Sequence, residues 1–335
     1  MDNVRSIAKK VLFLFLGILI FGTIYHYSDV QLSSILDRLE IIAVAPFLVF
    51  LGVFILFHLL RSALWRQVSL LFCPEIRFPR FFFALYQLLS LGGFVVASSA
   101  AGFSIKVAAL AKVARVGLRL GTAICGIETM LLVILLGLMT PVSILFVFYP
   151  DKQVLLYALA LLLFVLFITL GIVRVRLPRH QIFRRLTRAA RHFTHYALAQ
   201  ILSVDASEVS VRFRQLRGAP TMFTLAVLIY VTPPIYYFFL SSALNIDLEL
   251  GNIFLVFPVV YVASILSFTP AGIGIKEAGN SGALMILGVP APEAVIFSLA
   301  IRAFGDGAQL ILSAIAYLFV VLMGLRTEVG YSKTE

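Results

Sequence analysis

Six ionisable residues stand inside or beside long apolar stretches of this sequence: Lys106 and Glu128 in its first half, and Lys276, Glu277, Arg302 and Asp306 in its second. A charge in such a segment is costly to bury, so these residues either pair with one another or mark the path of an ion or polar group. Arg302 and Asp306 are four apart, the spacing at which two side chains meet on one helix face, and are expected to neutralise each other. Glu277 adjoins Lys276 and so points to a different face. Its expected counter-charge is Arg302 or the amine of a ligand. In a ligand reading, Arg302, Lys276 and Lys106 attract a phosphate, while Glu277 and Glu128 hold an amine or a proton. The rival reading is a closed set of mutually paired charges with no ligand.

Catalytic chemistry finds little support in the same residues. There is no HxxxD-like pair, no metal-binding Asp cluster and no nucleophile beside a base, which argues against an enzyme. Cys73 and Cys125 lack metal-ligand spacing, and His192 and His195 lack partners, so no metal or cofactor is expected. Gly272-x-Gly274 is no dinucleotide fingerprint, because the third glycine falls at Gly279 and no strand precedes it.

The two lysines sit in related surroundings. Ala101-Gly-Phe-Ser-Ile-Lys106-Val-Ala108 aligns without gaps on Ala271-Gly-Ile-Gly-Ile-Lys276-Glu-Ala278, displaced by 170 residues. The segment 98–117 opens with small residues and continues with Lys106, Lys112 and Arg115, so it reads as a weakly apolar or broken helix. The segment 267–289 holds Pro270, Gly272, Gly274, Lys276, Glu277, Gly279, Asn280 and Gly282, too many breakers and polar groups to face lipid. Interrupted apolar segments at corresponding places in two inverted halves are a sequence pointer to a transporter's binding site.

The elements that must hold these residues are membrane helices. Hydrophobic residues make up 61% of the 335 positions and charged residues 13%, too few polar groups to cover a water-soluble core. Candidate spans are 8–27, 40–60, 81–98, 119–139, 152–173, 219–240, 250–267 and a stretch within 292–324. The first follows Arg5, Lys9 and Lys10 and lacks a small-residue cleavage site, so it reads as retained. The expected fold is an all-α polytopic membrane helical bundle, about eight full spans plus two broken or re-entrant segments arranged as inverted repeats. It forms a single transmembrane domain over 1–335, with a first half 1–173, a basic loop 174–217 and a second half 218–335. The net charge of +11 concentrates in that loop, where Arg174, Arg176, Arg179, Arg184, Arg185, Arg188, Arg191, Arg212, Arg214 and Arg217 face only Asp205 and Glu208. By the positive-inside rule the loop is cytoplasmic, and parity puts both termini on the same side. Ile182, Leu186, Ala190, Phe193 and Ala197 recur at helical spacing within it and suggest either an amphipathic helix on the inner leaflet or an ordinary solvated loop helix. No stacking aromatic motif accompanies the arginines, so topology and anionic headgroups explain them better than nucleic acid does.

Ser267-Phe-Thr-Pro270-Ala-Gly272-Ile-Gly274-Ile-Lys-Glu277-Ala, then Gly288-Val-Pro, then Ala300-Ile-Arg302, resembles the C-terminal signature of the lysylphosphatidylglycerol synthase transmembrane-domain family, also described as flippase-like. Arg61-Ser-Ala-Leu-Trp65 and Glu128 also look like that family. The first-half element departs from it, reading Ser98-Ser-Ala-Ala-Gly102 with Lys106 where the family often has proline, glycines and arginine. The resemblance implies a lipid translocase without the aminoacyltransferase domain. Its expected substrate is a phospholipid, an aminoacyl-phospholipid or an isoprenoid-linked or glycolipid, with an anionic or aminoacylated headgroup. The residues expected to bind it are Arg61, Lys106, Glu128, Pro270, Gly272, Gly274, Lys276, Glu277, Asn280, Arg302 and Asp306. The alternatives are an integral-membrane lipid-modifying enzyme or a scaffold for an envelope glycosyltransferase. A second copy of the chain or an envelope-synthesis enzyme is the expected protein partner, and the expected location is a bacterial or archaeal cytoplasmic membrane.

Overall fold

The computed structural model describes residues 42–74, 76, 79–96, 99–148, 219–266 and 272–323, together with Leu19 and Gly22. The expected spans 8–27 (those two residues apart) and 152–173, the basic loop 174–217 with its amphipathic helix, and Pro270 lie outside the described residues. All regular structure among the described residues is helical. In chain order it comprises α1 (Val44–Phe72), α2 (Arg80–Val96), α3 (Ser99–Ala108) with a π-helical turn at Ala109–Val113, α4 (Leu118–Phe148), α5 (Ala219–Ala243), α6 (Leu250–Leu266), α7 (Ile275–Ile286), and α8 (Ala291–Ala300), which runs through a second π-helical turn at Ile301–Asp306 into α9 (Gly307–Leu322).

These helices form because their apolar residues run on with few breaks, and in lipid a helix satisfies its own backbone. Val44–Phe72, Thr224–Ala243 and Ala291–Leu322 are long and apolar enough to cross a bilayer. Their outer faces keep the expected character: Leu48, Val49, Ile55, Leu56 and Leu59 of α1 and Ile311, Ile315, Leu318 and Leu322 of α9 are exposed. The chain is an integral membrane protein.

Three local features depart from the simplest reading of the sequence. The second span was expected to end at 60, but α1 continues to Phe72, placing Arg61 and Arg66 within a helix. Leu64, Trp65, Val68 and Phe72 continue its buried face, and the Ser62 and Ser69 hydroxyls bond back to the carbonyls of Leu59 and Trp65. In the first repeat element, 101–108 is helical throughout and the irregularity comes afterwards, in the π-helical turn and at Arg115, which has φ 53°. In the second element the break precedes the lysine: Gly272 and Gly274 have φ 74° and 85°, a region that glycine enters without steric cost, and α7 starts at Ile275.

The spacing of 170 residues extends beyond the repeat motif. It carries α2 at 80–96 onto α6 at 250–266, and it brings α1 and α4 to within a few residues of α5 and of the α8–α9 unit. Packing is reciprocal as well. The most extensive pairing is α1 with α5, α2 packs on α9, and α6 packs on α4. At the α1–α5 seam, Phe50, Phe54 and Phe57 surround the ring of Tyr236 at centroid distances of 5.9, 5.3 and 6.0 Å. α5 carries Pro233 and Pro234 in its interior, each lacking an N–H, so the carbonyls of Ile229 and Tyr230 lose their helical donors.

Candidate functional site

Two groups of charges form, one in each half. In the first, α3 presents Lys106 and α4 presents Glu128, and the Lys106 ammonium bonds Glu128 Oε2 directly. Arg61 of α1 approaches Glu128 Oε1 at 3.8 Å. Lys106 Nζ lies 4.8 Å from the centre of the Trp65 ring, and the Arg61 guanidinium lies 5.9 Å from that of Phe57. Both are cation–π distances. The side chains of Glu128 and Lys106 are 0% and 4% exposed and that of Arg61 is 14%, so the Lys106–Glu128 pair is closed off. It holds two cations and one carboxylate, and removing the carboxylate would leave buried charge uncompensated at a cost of about 3–5 kcal/mol.

In the second group the polarity of the cross-helix pair is reversed. The carboxylate, Glu277, is on the short helix α7, and the cation, Arg302, is in the π-helical turn after α8. Arg302 Nε lies 2.8 Å from Glu277 Oε1, and Arg302 Nη1 donates to Asp306 Oδ2 at 2.6 Å. Both partners considered for Arg302 from the sequence are therefore engaged at once. The π-helical turn from Ile301 to Asp306 contains both Arg302 and Asp306, and such turns concentrate at functional sites. Glu277 Oε2 accepts the backbone N–H of Gly274 at 2.7 Å, so the carboxylate also caps the start of α7, where negative charge is favoured. Arg302 and Asp306 side chains are 20% and 21% exposed, against 7% for Glu277. This group is open on its Arg302–Asp306 side.

Lys276 makes no ion pair with any described residue, although Asp306, Arg302 and Glu277 are all within electrostatic range. Its stem crosses the glycine turn, and a Cβ on Gly272 would meet Lys276 Cε at 2.8 Å. Asn280, one turn beyond Glu277, is buried, and its Oδ1 has no partner. Of the expected binding residues, Arg61, Lys106 and Glu128 thus gather in one place. Gly272, Gly274, Lys276, Glu277, Asn280, Arg302 and Asp306 belong to the α7–α9 region.

Sequence reasoning passed over Ser298. It is the residue 170 positions after Glu128, and its hydroxyl lies 3.4 Å from the Glu277 carbonyl, in the groove between α7 and α8 that corresponds to the Lys106–Glu128 contact. The repeat displacement alone pointed to it. His58 and Gln87 were also missed: both are buried, and neither ring nitrogen of His58 nor either amide atom of Gln87 has a partner among the described residues. A histidine or glutamine inside an apolar run carries no spacing signal. Only packing reveals them.

A family model described as lysylphosphatidylglycerol synthase TM region matches residues 7–324. The chain belongs to this family. The match spans both halves, so both charge groups lie within the lysylphosphatidylglycerol synthase TM region, and the likeness of the Pro270–Glu277 element to that family stands on nearly the whole chain. Family membership is consistent with a membrane lipid-related role. No curated protein and no solved structure matches the chain.

Proposed function

We propose that the chain is a lipid translocase in which Lys276, Arg302, Glu277 and Asp306 receive a headgroup while the acyl chains stay in lipid. The observation that carries this reading is the state of Lys276. Its counterpart Lys106 is held on Glu128, but Ser298 occupies the place corresponding to Glu128, and among the described residues no carboxylate is ion-paired with the Lys276 ammonium. An unpaired ammonium beside Arg302, at an interrupted helix, suits the phosphate of an anionic or aminoacylated lipid. Asp306, a partly exposed carboxylate that Arg302 engages through Oδ2, suits an amine. Lys106 and Glu128 then act as supports behind the site.

The reading includes an inverted-repeat arrangement, supported by the 170-residue displacement of the helices and by their reciprocal packing. It also includes cytoplasmic termini and a cytoplasmic loop 174–217. Labelling of a cysteine placed near Arg188 by an impermeant reagent applied from outside would overturn that topology. No nucleotide motif accompanies the helices, so movement is downhill or ion-coupled. Purified protein in liposomes should carry a labelled anionic or aminoacylated lipid between leaflets without ATP. Conversion of the label to a new chemical species would replace this reading with the enzyme one.

A further inference from the structure

The turn between α3 and α4 carries Lys112, Arg115 and Arg119, and all three residues are exposed. None of them makes an ion pair with another described residue. The turn is closed by the N–H of Ala114 on the Ala109 carbonyl at 3.2 Å and that of Val116 on the Leu110 carbonyl at 3.0 Å, with Arg115 between them at φ 53°. The left-handed residue that ends a helix is usually glycine, which adopts this conformation without steric cost. Here an arginine holds the place, although Gly117 is only two residues away. Leu118, between Arg115 and Arg119, is 65% exposed.

Packing puts this turn at the Phe72 end of α1. Trp65 packs on Phe83 at 5.0 Å across α1 and α2. α3 follows α2 after two residues and packs along it, with Gly93 close against Gly102 and Ile105, so the two run antiparallel and the turn returns to the level of the exposed Arg80. The other end of the bundle is acidic. There the Ala43 N–H donates to the Ala243 carbonyl at 2.9 Å, which brings the Val44 end of α1 to the α5–α6 connection, where Asp247 and Glu249 are exposed. The repeat scaffold itself does not require the cations, because a displacement of 170 residues carries Lys112, Arg115 and Arg119 onto Gly282, Met285 and Val289. Like charges gathered without acids repel one another, and an anionic layer relieves that repulsion.

We propose that Lys112, Arg115, Arg119 and Leu118 form a docking surface for anionic phospholipids of the leaflet at the Phe72 end of α1. The depth fits. Lys106 is level with Trp65, and Lys112 lies six residues, about 9 Å, further along the same helix, well past Leu59, where the large lipid-facing side chains of α1 stop. The cations therefore meet phosphates at headgroup level, and the exposed leucine among them enters the acyl boundary, as on an interfacial segment. An acidic protein segment would pair with the cations but would leave Leu118 without an apolar neighbour. The surface is separate from the Lys276–Arg302 group, whose Phe304 packs on Phe47 at 5.0 Å near the opposite end of α1, and it stands without the translocase reading.

The test is thermal unfolding of the full chain in neutral detergent micelles with added phosphatidylglycerol or phosphatidylcholine. Phosphatidylglycerol should raise the wild-type midpoint and phosphatidylcholine should not. In the Lys112→Gln/Arg115→Gln/Arg119→Gln variant, the phosphatidylglycerol concentration needed for the same rise should increase at least roughly tenfold, each surface cation being worth about fivefold. A triple variant that keeps the wild-type response overturns the surface, because other basic groups then account for it. Arg115→Gly serves if the triple variant does not fold. Glycine relieves the left-handed backbone, so its midpoint in detergent alone should rise while its phosphatidylglycerol requirement increases about fivefold. An unchanged requirement in Arg115→Gly also overturns the surface. Inorganic phosphate should leave the wild-type midpoint where it is, and a rise equal to that given by phosphatidylglycerol overturns the lipid assignment. Stabilisation by polyglutamate at lower concentration than by phosphatidylglycerol would overturn it in favour of an acidic protein.

Discussion

Lys106 and Lys276 occupy matching places 170 residues apart, yet among the described residues only the first is ion-paired. The divergence comes from a few side chains. Position 128 is glutamate and its counterpart 298 is serine, while the second half carries carboxylates at Glu277 and Asp306, where the first has Val107 and Leu136. One set of charges is sealed between helices, and the other opens beside a glycine turn and a π-helical turn. On the proposed reading, two matching positions hold the same lysine as a structural peg in one half and as a receptor for a ligand in the other. The carboxylate's position decides which role it takes.

The largest effect expected from this contrast is on stability. Glu128→Gln leaves the buried Lys106, with the partly buried Arg61 beside it, without a counter-charge and should cost about 3–5 kcal/mol, read as a large fall in thermal midpoint in detergent or as loss of inserted protein. Glu277→Gln should cost far less stability, because Arg302 keeps Asp306 and part of its solvent exposure. Equal destabilisation by the two substitutions would break the comparison.

Transport should rank the two groups the other way. Glu277→Gln removes the charge that orients Arg302 and should abolish movement of a labelled lipid, a fall of at least roughly tenfold, or about 1.4 kcal/mol, in protein that remains folded. Lys106→Ala should weaken transport less, since it touches no part of the open group. Wild-type transport by a well-inserted Glu277→Gln variant would leave Glu277 a structural charge only.

A third substitution converts one half toward the other. Ser298→Asp places a carboxylate where the first half has Glu128 and should capture Lys276, lowering the apparent affinity for an anionic lipid with little change for a neutral one. An unchanged preference between the two lipids would show that Lys276 does not meet the headgroup. The smallest effect is that of Gly272→Ala, which combines a left-handed backbone with a clash against the Lys276 stem and should cost about 1–2 kcal/mol, measured by thermal unfolding.

Much of this contrast was legible from residue types. The Arg302–Asp306 pair followed from its spacing, the break before Lys276 from its glycines, and the correspondence of the two lysines from a gap-free match. The extent of α1 was not, because Arg61 and Arg66 look like loop residues until Trp65, Val68 and Phe72 are seen to continue the buried face between and beyond them. Nor was the reversed polarity of the two groups, which depends on whether acid or base falls on the short helix. Partners from distant segments are set by packing, and a single sequence registers that weakly.

The length of α1 also works as a depth gauge. Its first seventeen residues, Val44 to Leu60, rise about 26 Å before Arg61 is reached, close to the roughly 30 Å thickness of a bilayer's hydrocarbon. Its large lipid-facing side chains stop at Leu59. With Val44 set at one edge of the hydrocarbon, Arg61 and Glu128 stand about one helical turn from the headgroup level on the Phe72 side, and the final turns of α1 project past it. A group that is sealed sideways by protein is thus shallow along the membrane normal, and water needs to cross only a few side chains to reach it from that leaflet.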